Sequence, residues 1–143
     1  MNTPVYDFLI QYAERDPVRL HMPGHKGRFG APALQCATTL DLTEITGADS
    51  LFEAEGILAE SERNAASLYG TAYTFYSCGG STLCIQTMLL LMKQQGRAVL
   101  AARNVHRAFL NTCVLLDLPV QWIYPRESDG ILSGTYDLAD FEA

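Results

Sequence analysis

The stretch from Tyr73 to Met92, YTFYSCGGSTLCIQTMLLLM, limits the choice of folds more than any other. Residues Tyr73 to Ser77 are aromatic, β-branched or small, which suits a short buried strand. Gly79 and Gly80 break that strand. Ser81 and Thr82 are residue types that cap helices, and a helical pattern follows through Leu83, Ile85, Met88, Leu89 and Met92. Strand, glycine turn, Ser-Thr and helix is the way α/β proteins build an anion site. The glycines let the backbone approach a ligand, the first free N–H groups of the helix point at it, and the two hydroxyls add donors. Gly80, Ser81 and Thr82 therefore read as a phosphate seat, with a plain capped helix as the alternative. No Lys follows the glycines at P-loop spacing, and the third glycine of the dinucleotide fingerprint is missing.

The rest of the chain extends this pattern. Arg97 to Ala102 is a nearly all-apolar strand, His106 to Leu116 a helix, and Val120 to Tyr124 a third strand closed by Pro125. Strands separated by helices of this length give β-α-β-α-β, a parallel sheet with right-handed crossovers. Ligands of such sheets sit at the carboxyl ends of the strands, where the turn before Ser81 and the turn before His106 both arrive. His106 is a cap or surface residue on one reading. On the other, it is a flat ring that stacks on a planar ligand or carries protons. A three-stranded parallel sheet has open edges, so the expectation is a longer domain. After Pro125 a polar stretch leads into YDLADFEA, the expected start of another helix.

Upstream, Pro4 to Arg15 has helical spacing of Val5, Phe8, Leu9 and Tyr12, ended by Asp16-Pro17. Residues 23–32, PGHKGRFGAP, hold three glycines and two prolines and read as a loop. Together with the preceding His21 it contains His25 and Lys26. Pro23 and Gly24 between the two histidines argue against a helical metal pair, so no metal is expected. The loop reads as anion- or substrate-facing, as a subunit contact, or as a solvated surface loop. The carboxylates of Asp41, Glu44 and Asp49 lie in turn-rich surroundings and are expected to cap helices and bind loop backbone. Ile57 to Tyr69 is a helix that Gly70 ends.

The totals exclude several classes. The chain has 143 residues, 48% of them hydrophobic and 18% charged, which is one domain or part of one and not a disordered segment. A net charge of −6 argues against nucleic acid as a partner. No basic stretch precedes an apolar run as in a signal peptide, and the run Met88 to Met92 is far too short to span a membrane. Cys36, Cys78, Cys84 and Cys113 form no CxxC pair. They are expected as buried free thiols in a reducing cytoplasm. Lys26 and Lys93 are the two lysines.

Five stretches together resemble one family: HMPGHKG (21–27), DLTEITGADSL (41–51), AASLYGTAYTFY (65–76), GGST (79–82) and ARNVHRA (102–108). The chain resembles the amino-terminal part of the major domain of the ornithine/lysine/arginine decarboxylases, in the family's order and spacing. The resemblance implies a fold of aspartate-aminotransferase type: a three-layer α/β/α domain on a mainly parallel sheet. Residues 1–56 would form an amino-terminal arm and residues 57–143 the first part of that domain. It implies pyridoxal 5′-phosphate as cofactor, with Gly80, Ser81 and Thr82 on its phosphate and His106, the catalytic candidate, over its ring. His21, His25 and Lys26 would lie near the active site at a dimer interface. A cytoplasmic homodimer or higher homo-oligomer is expected.

The departures from the family are specific. Gly79 stands where Asn is frequent. Leu83 and Cys84 replace smaller residues, Arg107 and Ala108 stand where Lys and Ser are common, and Ser50 replaces a second acid. The family's Schiff-base lysine and the Asp that pairs with the pyridine nitrogen lie beyond residue 143. Lys93 is ten residues or more along its helix, about 15 Å from the phosphate seat. The expected function is thus the amino-terminal portion of a basic amino acid decarboxylase, inactive by itself. The alternative is a non-catalytic phosphate-ligand binder or a partner for a full-length subunit.

Overall fold

The computed structural model describes residues 2–28, 30–127 and 134–141, which form two compact units, Met1–Tyr76 and Ser77–Ala143.

The first unit is helical. Helix α1, Pro4–Glu14, starts with Pro at a position that needs no N–H, and Asp7 reaches back to accept from the Thr3 N–H at 3.2 Å. Its end falls one residue short of the expected Arg15, which is the C-cap. Helix α2, Pro32–Leu40, has no counterpart in the sequence reading; Pro32 at its first turn was the available signal. Helix α3, Ile57–Tyr69, has the expected bounds, and Gly70 ends it at φ 66 in the left-handed region. Helix α1 packs against α2 and α3.

Asp49 organises the start of α3. Its Oδ1 accepts from the N–H groups of Ser50 and Glu55, and its Oδ2 from those of Gly56 (2.8 Å) and Leu58 (2.9 Å). This is the capping role expected of the carboxylates in this region. Desolvation raises the carboxyl's pKa, but the bonds from Glu55, Ser50, Gly56 and Leu58 outweigh it and bring the value down to about 2. A group held below its ordinary pKa stabilises the fold fully above that ordinary value and loses its contribution as pH falls through the folded value. The α3 region should therefore lose thermal stability between about pH 4 and pH 2. Asp49→Asn should start less stable at pH 7 and show a flatter dependence in that window, measured by circular dichroism melts at stepped pH.

The second unit is α/β. Helix α4, Gly80–Gln94, leads through Gly96 into strand β1, Val99–Ala102. Helix α5, Arg107–Leu115, crosses to strand β2, Val120–Ile123, which pairs parallel with β1 in the register Val99↔Val120 to Ala102↔Ile123. The parallel pair and its crossover are as expected. Leu89 of α4, Cys113 of α5 and Leu118 form the buried core, with Ile85, Phe109, Val99 and Val120 packed on it. A short 3-10 turn, Leu138–Phe141, stands where a further helix was expected to start. Arg126 closes this end with Asp137 and, through two bonds, Asp140. Part of the polar stretch after Pro125, residues 128–133, lies outside the described residues.

Three expectations need correction. Residues 73–77 are not a strand: the sheet has two strands, β1 and β2, among the described residues. A strand exists only through ladder hydrogen bonds, and no strand among the described residues supplies them to this segment. Tyr73 and Phe75 are instead exposed and stack on one another with centroids 6.4 Å apart. Ser81 and Thr82 do not cap α4; the N-cap is Gly79, which has no side chain to bond the first turn. The cysteines are free as expected, but only Cys113 is buried, while Cys36, Cys78 and Cys84 are exposed. Burial pushes the Cys113 thiol pKa up.

Candidate functional site

The first turn of α4 is an open set of hydrogen-bond donors. Gly80 sits at φ 63, a conformation that favours glycine, and the space above it is clear of any atom within 4 Å of where a Cβ would be. Gly79 donates its N–H to Ser77 Oγ at 3.0 Å, and the Leu83 N–H returns to Gly79 O at 3.4 Å. Between them, the N–H groups of Gly80, Ser81 and Thr82 and the two hydroxyls have no partner among the described residues. A helix of 15 residues carries partial positive charge at this end. Three backbone donors, two hydroxyls and a positive dipole end fit a phosphate dianion in number and sign.

His106 occupies the N-cap of α5. Its Nδ1 accepts from the Ala108 N–H at 3.1 Å, so the ring proton is on Nε2. The cap reading of this residue therefore holds. It also fixes the ring's orientation while leaving the ring exposed. Beside it, Arg103 lies 5.2 Å over the Trp122 ring, and Phe109 meets that ring edge-on.

Helices α4 and α5, which begin at these two features, pack on one another. Lys93, near the end of α4, donates its Nζ to Leu116 O, the C-cap of α5. The carboxyl ends of the two packed helices are thus joined. Helix α5 starts shortly after β1, so His106 at its amino end follows the carboxyl end of that strand.

Both lysines are engaged with backbone. Lys93 is at the far end of α4, and Lys26 Nζ donates to His21 O at 2.5 Å. The loop around Lys26 is tied from several sides. His21 Nδ1 donates to Met22 O at 2.5 Å, and its Nε2 accepts from Tyr12 Oη at 2.7 Å. His25 Nδ1 accepts from the Gly27 N–H, and its Nε2 bonds to Asp41 Oδ2 at 3.1 Å. Each of these side chains holds the loop's own shape. They belong to the first unit, whereas Gly80, Ser81, Thr82 and His106 belong to the second. Arg19 was not singled out in the sequence. Its guanidinium donates to Thr39 O at 2.6 Å and lies where a Cβ on Gly27 would be, 2.5 Å away. Nothing in a lone Arg before a glycine loop signals this. Among the described residues no cluster of three His, Cys, Asp or Glu could hold a metal, and no helix is long and apolar enough to cross a membrane.

Comparison with known proteins follows the same lines. Residues 3–142 match the Orn/Lys/Arg decarboxylase major domain. The arginine decarboxylase of Halalkalibacterium halodurans is 32% identical over 136 residues, covering 91% of this chain and 28% of the relative. That of Bacillus subtilis is 32% identical over 129 residues, covering 86% and 26%. The lysine decarboxylase of Pseudomonas aeruginosa is 23% identical over 153 residues, covering 96% and 20%. The chain spans about a quarter of the length of these curated relatives.

Proposed function

Because the chain belongs to the Orn/Lys/Arg decarboxylase family, we propose that it supplies the phosphate seat and the ring contact of a pyridoxal 5′-phosphate-dependent decarboxylase of a basic amino acid. The observation that carries this reading is the uncapped first turn of α4, whose donors at Gly80, Ser81 and Thr82 have no partner among the described residues. A helix start that no side chain satisfies favours an anionic ligand.

The cofactor's pyridine ring supplies an electron sink for the carbanion left by loss of carbon dioxide. The tasks of this chain's residues are binding and orientation. Ser81 and Thr82 hold the phosphate through hydroxyl and N–H donors, and Gly80 gives it room. His106 offers one ring face, its plane set by the bond from the Ala108 N–H and its proton held on Nε2. The covalent lysine and the carboxylate facing the pyridine nitrogen are assigned to another part of the protein. Both lysines here bond to backbone carbonyls, which fits that division. In this reading the segment works within a three-layer domain of aspartate-aminotransferase type, in a cytoplasmic homodimer or larger homo-oligomer. By itself it turns over no lysine, arginine or ornithine.

Pyridoxamine 5′-phosphate tests the seat, because it carries the phosphate and ring but forms no imine with a stray amine. Titration followed by fluorescence of Trp122, the single tryptophan, should show saturable binding. Ser81→Ala/Thr82→Ala should bind about tenfold more weakly, since each charge-assisted bond contributes on the order of 1–3 kcal/mol. Pyridoxamine without the phosphate should bind both proteins equally poorly. Equal binding of the phosphorylated ligand to wild type and variant would remove the seat from these residues.

A further inference from the structure

We propose a second phosphate-binding site, in the first unit: a cleft of about 400 Å³ lined by Arg19, Lys26, Gly27, Arg28, Gln35 and Thr39. It lies entirely within that unit and holds whether or not the decarboxylase reading does.

Charge sets this cleft apart. The chain carries a net charge of −6, yet three cationic side chains line this one cleft and Asp16 is its only acid. Three positive charges against one negative leave two positive. That balance matches a phosphate dianion better than a monocarboxylate. The cations are also held in place. The Arg19 guanidinium is fixed by Thr39 O at 2.6 Å and by stacking 5.2 Å over the Tyr12 ring. Those contacts use only part of its five-donor fork. Lys26, in the left-handed region at φ 54, bends its Nζ back to His21 O and retains two further donors. Cations positioned before the ligand arrives lose less freedom on binding. Arg28 is held more loosely, 3.4 Å from Asp16 Oδ2, with both side chains exposed. Asp16 thus occupies a cation that a phosphate would take, so the acid competes with the ligand. The volume exceeds that of a bare phosphate and leaves room for the rest of a small phosphorylated metabolite.

The competition supplies a test that does not depend on damaging the fold. The 15N-labelled chain is titrated with inorganic phosphate, with ribose 5-phosphate and with acetate, following the amides of Arg19, Lys26, Gly27, Arg28 and Thr39. The amides of Gly80, Ser81 and Thr82 report the α4 seat separately in the same spectra. Saturable shifts at the cleft are expected with both phosphates and not with acetate. The tighter of the two phosphates tells a free anion from an ester ligand. Asp16→Asn, where Asn suits the left-handed φ of 42, should bind severalfold more tightly. Lys26→Asn/Arg28→Gln should bind about tenfold more weakly. The proposal is overturned if the cleft amides do not saturate, if acetate does as well as phosphate, or if all three proteins bind alike.

Discussion

Leu89→Ala should cost the second unit about 2–5 kcal/mol, the range for a buried leucine reduced to alanine. Leu89 is 3% exposed and sits in the core with Cys113 and Leu118. Removing its three outer carbons forfeits their transfer out of water and leaves a void between α4 and α5. The cost should fall toward the upper part of the range, because the walls cannot collapse freely. Helices α4 and α5 are tied at their carboxyl ends by Lys93 on Leu116 O, and the strands of the sheet are held by their ladder. Urea unfolding followed by Trp122 fluorescence reads this unit directly, since Trp122 is in β2 against Phe109. Met88→Ala on the same helix is the control. Met88 is 54% exposed, and its loss should move the midpoint little. Equal effects at the two positions would mean that α4 does not pack by the face described.

Gly79→Asn should destabilise the start of α4 by about 1–3 kcal/mol, the usual cost of overpacking, and Leu83→Gly, which removes both clashing carbons, should rescue it. A Cβ at position 79 would lie 2.6 Å from Leu83 Cβ and Cδ2, closer than carbon atoms approach. The backbone itself is ordinary at φ −79, so the clash and not the conformation excludes a side chain. Glycine at 79 and leucine at 83 are therefore coupled by packing. The larger residue at 83 fills the space that the smaller one at 79 leaves. A double-mutant cycle measures this as a coupling of at least about 1 kcal/mol, with the double variant more stable than Gly79→Asn alone. Additive effects would show that the two sites are independent. The pair flanks Gly80, Ser81 and Thr82 in the chain, so the cycle repeated with pyridoxamine 5′-phosphate also tests whether the seat's geometry depends on it.

Much of this protein was legible in its sequence. Helices α1 and α3, the parallel pair β1 and β2, and the crossover α5 follow from periodicity, proline and glycine. These signals are local: one face of a helix or one turn residue at a time. The capping role of Asp49 was legible for the same reason, since short acids in turns bind nearby N–H groups. The GGST turn and the HMPGHK loop were recognisable as motifs, and their spacing carried the family.

Tertiary structure decided the rest. Residues 73–77 have strand composition but no pairing strand among the described residues, and a strand is a property of two segments, not one. Three cysteines that read as buried are exposed, because burial depends on what packs above them and not on their apolar neighbours in sequence. The Gly79–Leu83 pair spans one helical turn, yet only coordinates show the contact that links them. Arg19 is the clearest case. Its sequence neighbours say nothing of Thr39, Tyr12 or Gly27, all of which it touches. Periodicity and turn chemistry act over a few residues and were readable. Which distant side chains share a cleft is set by how α1, α2 and the loop between them close on one another.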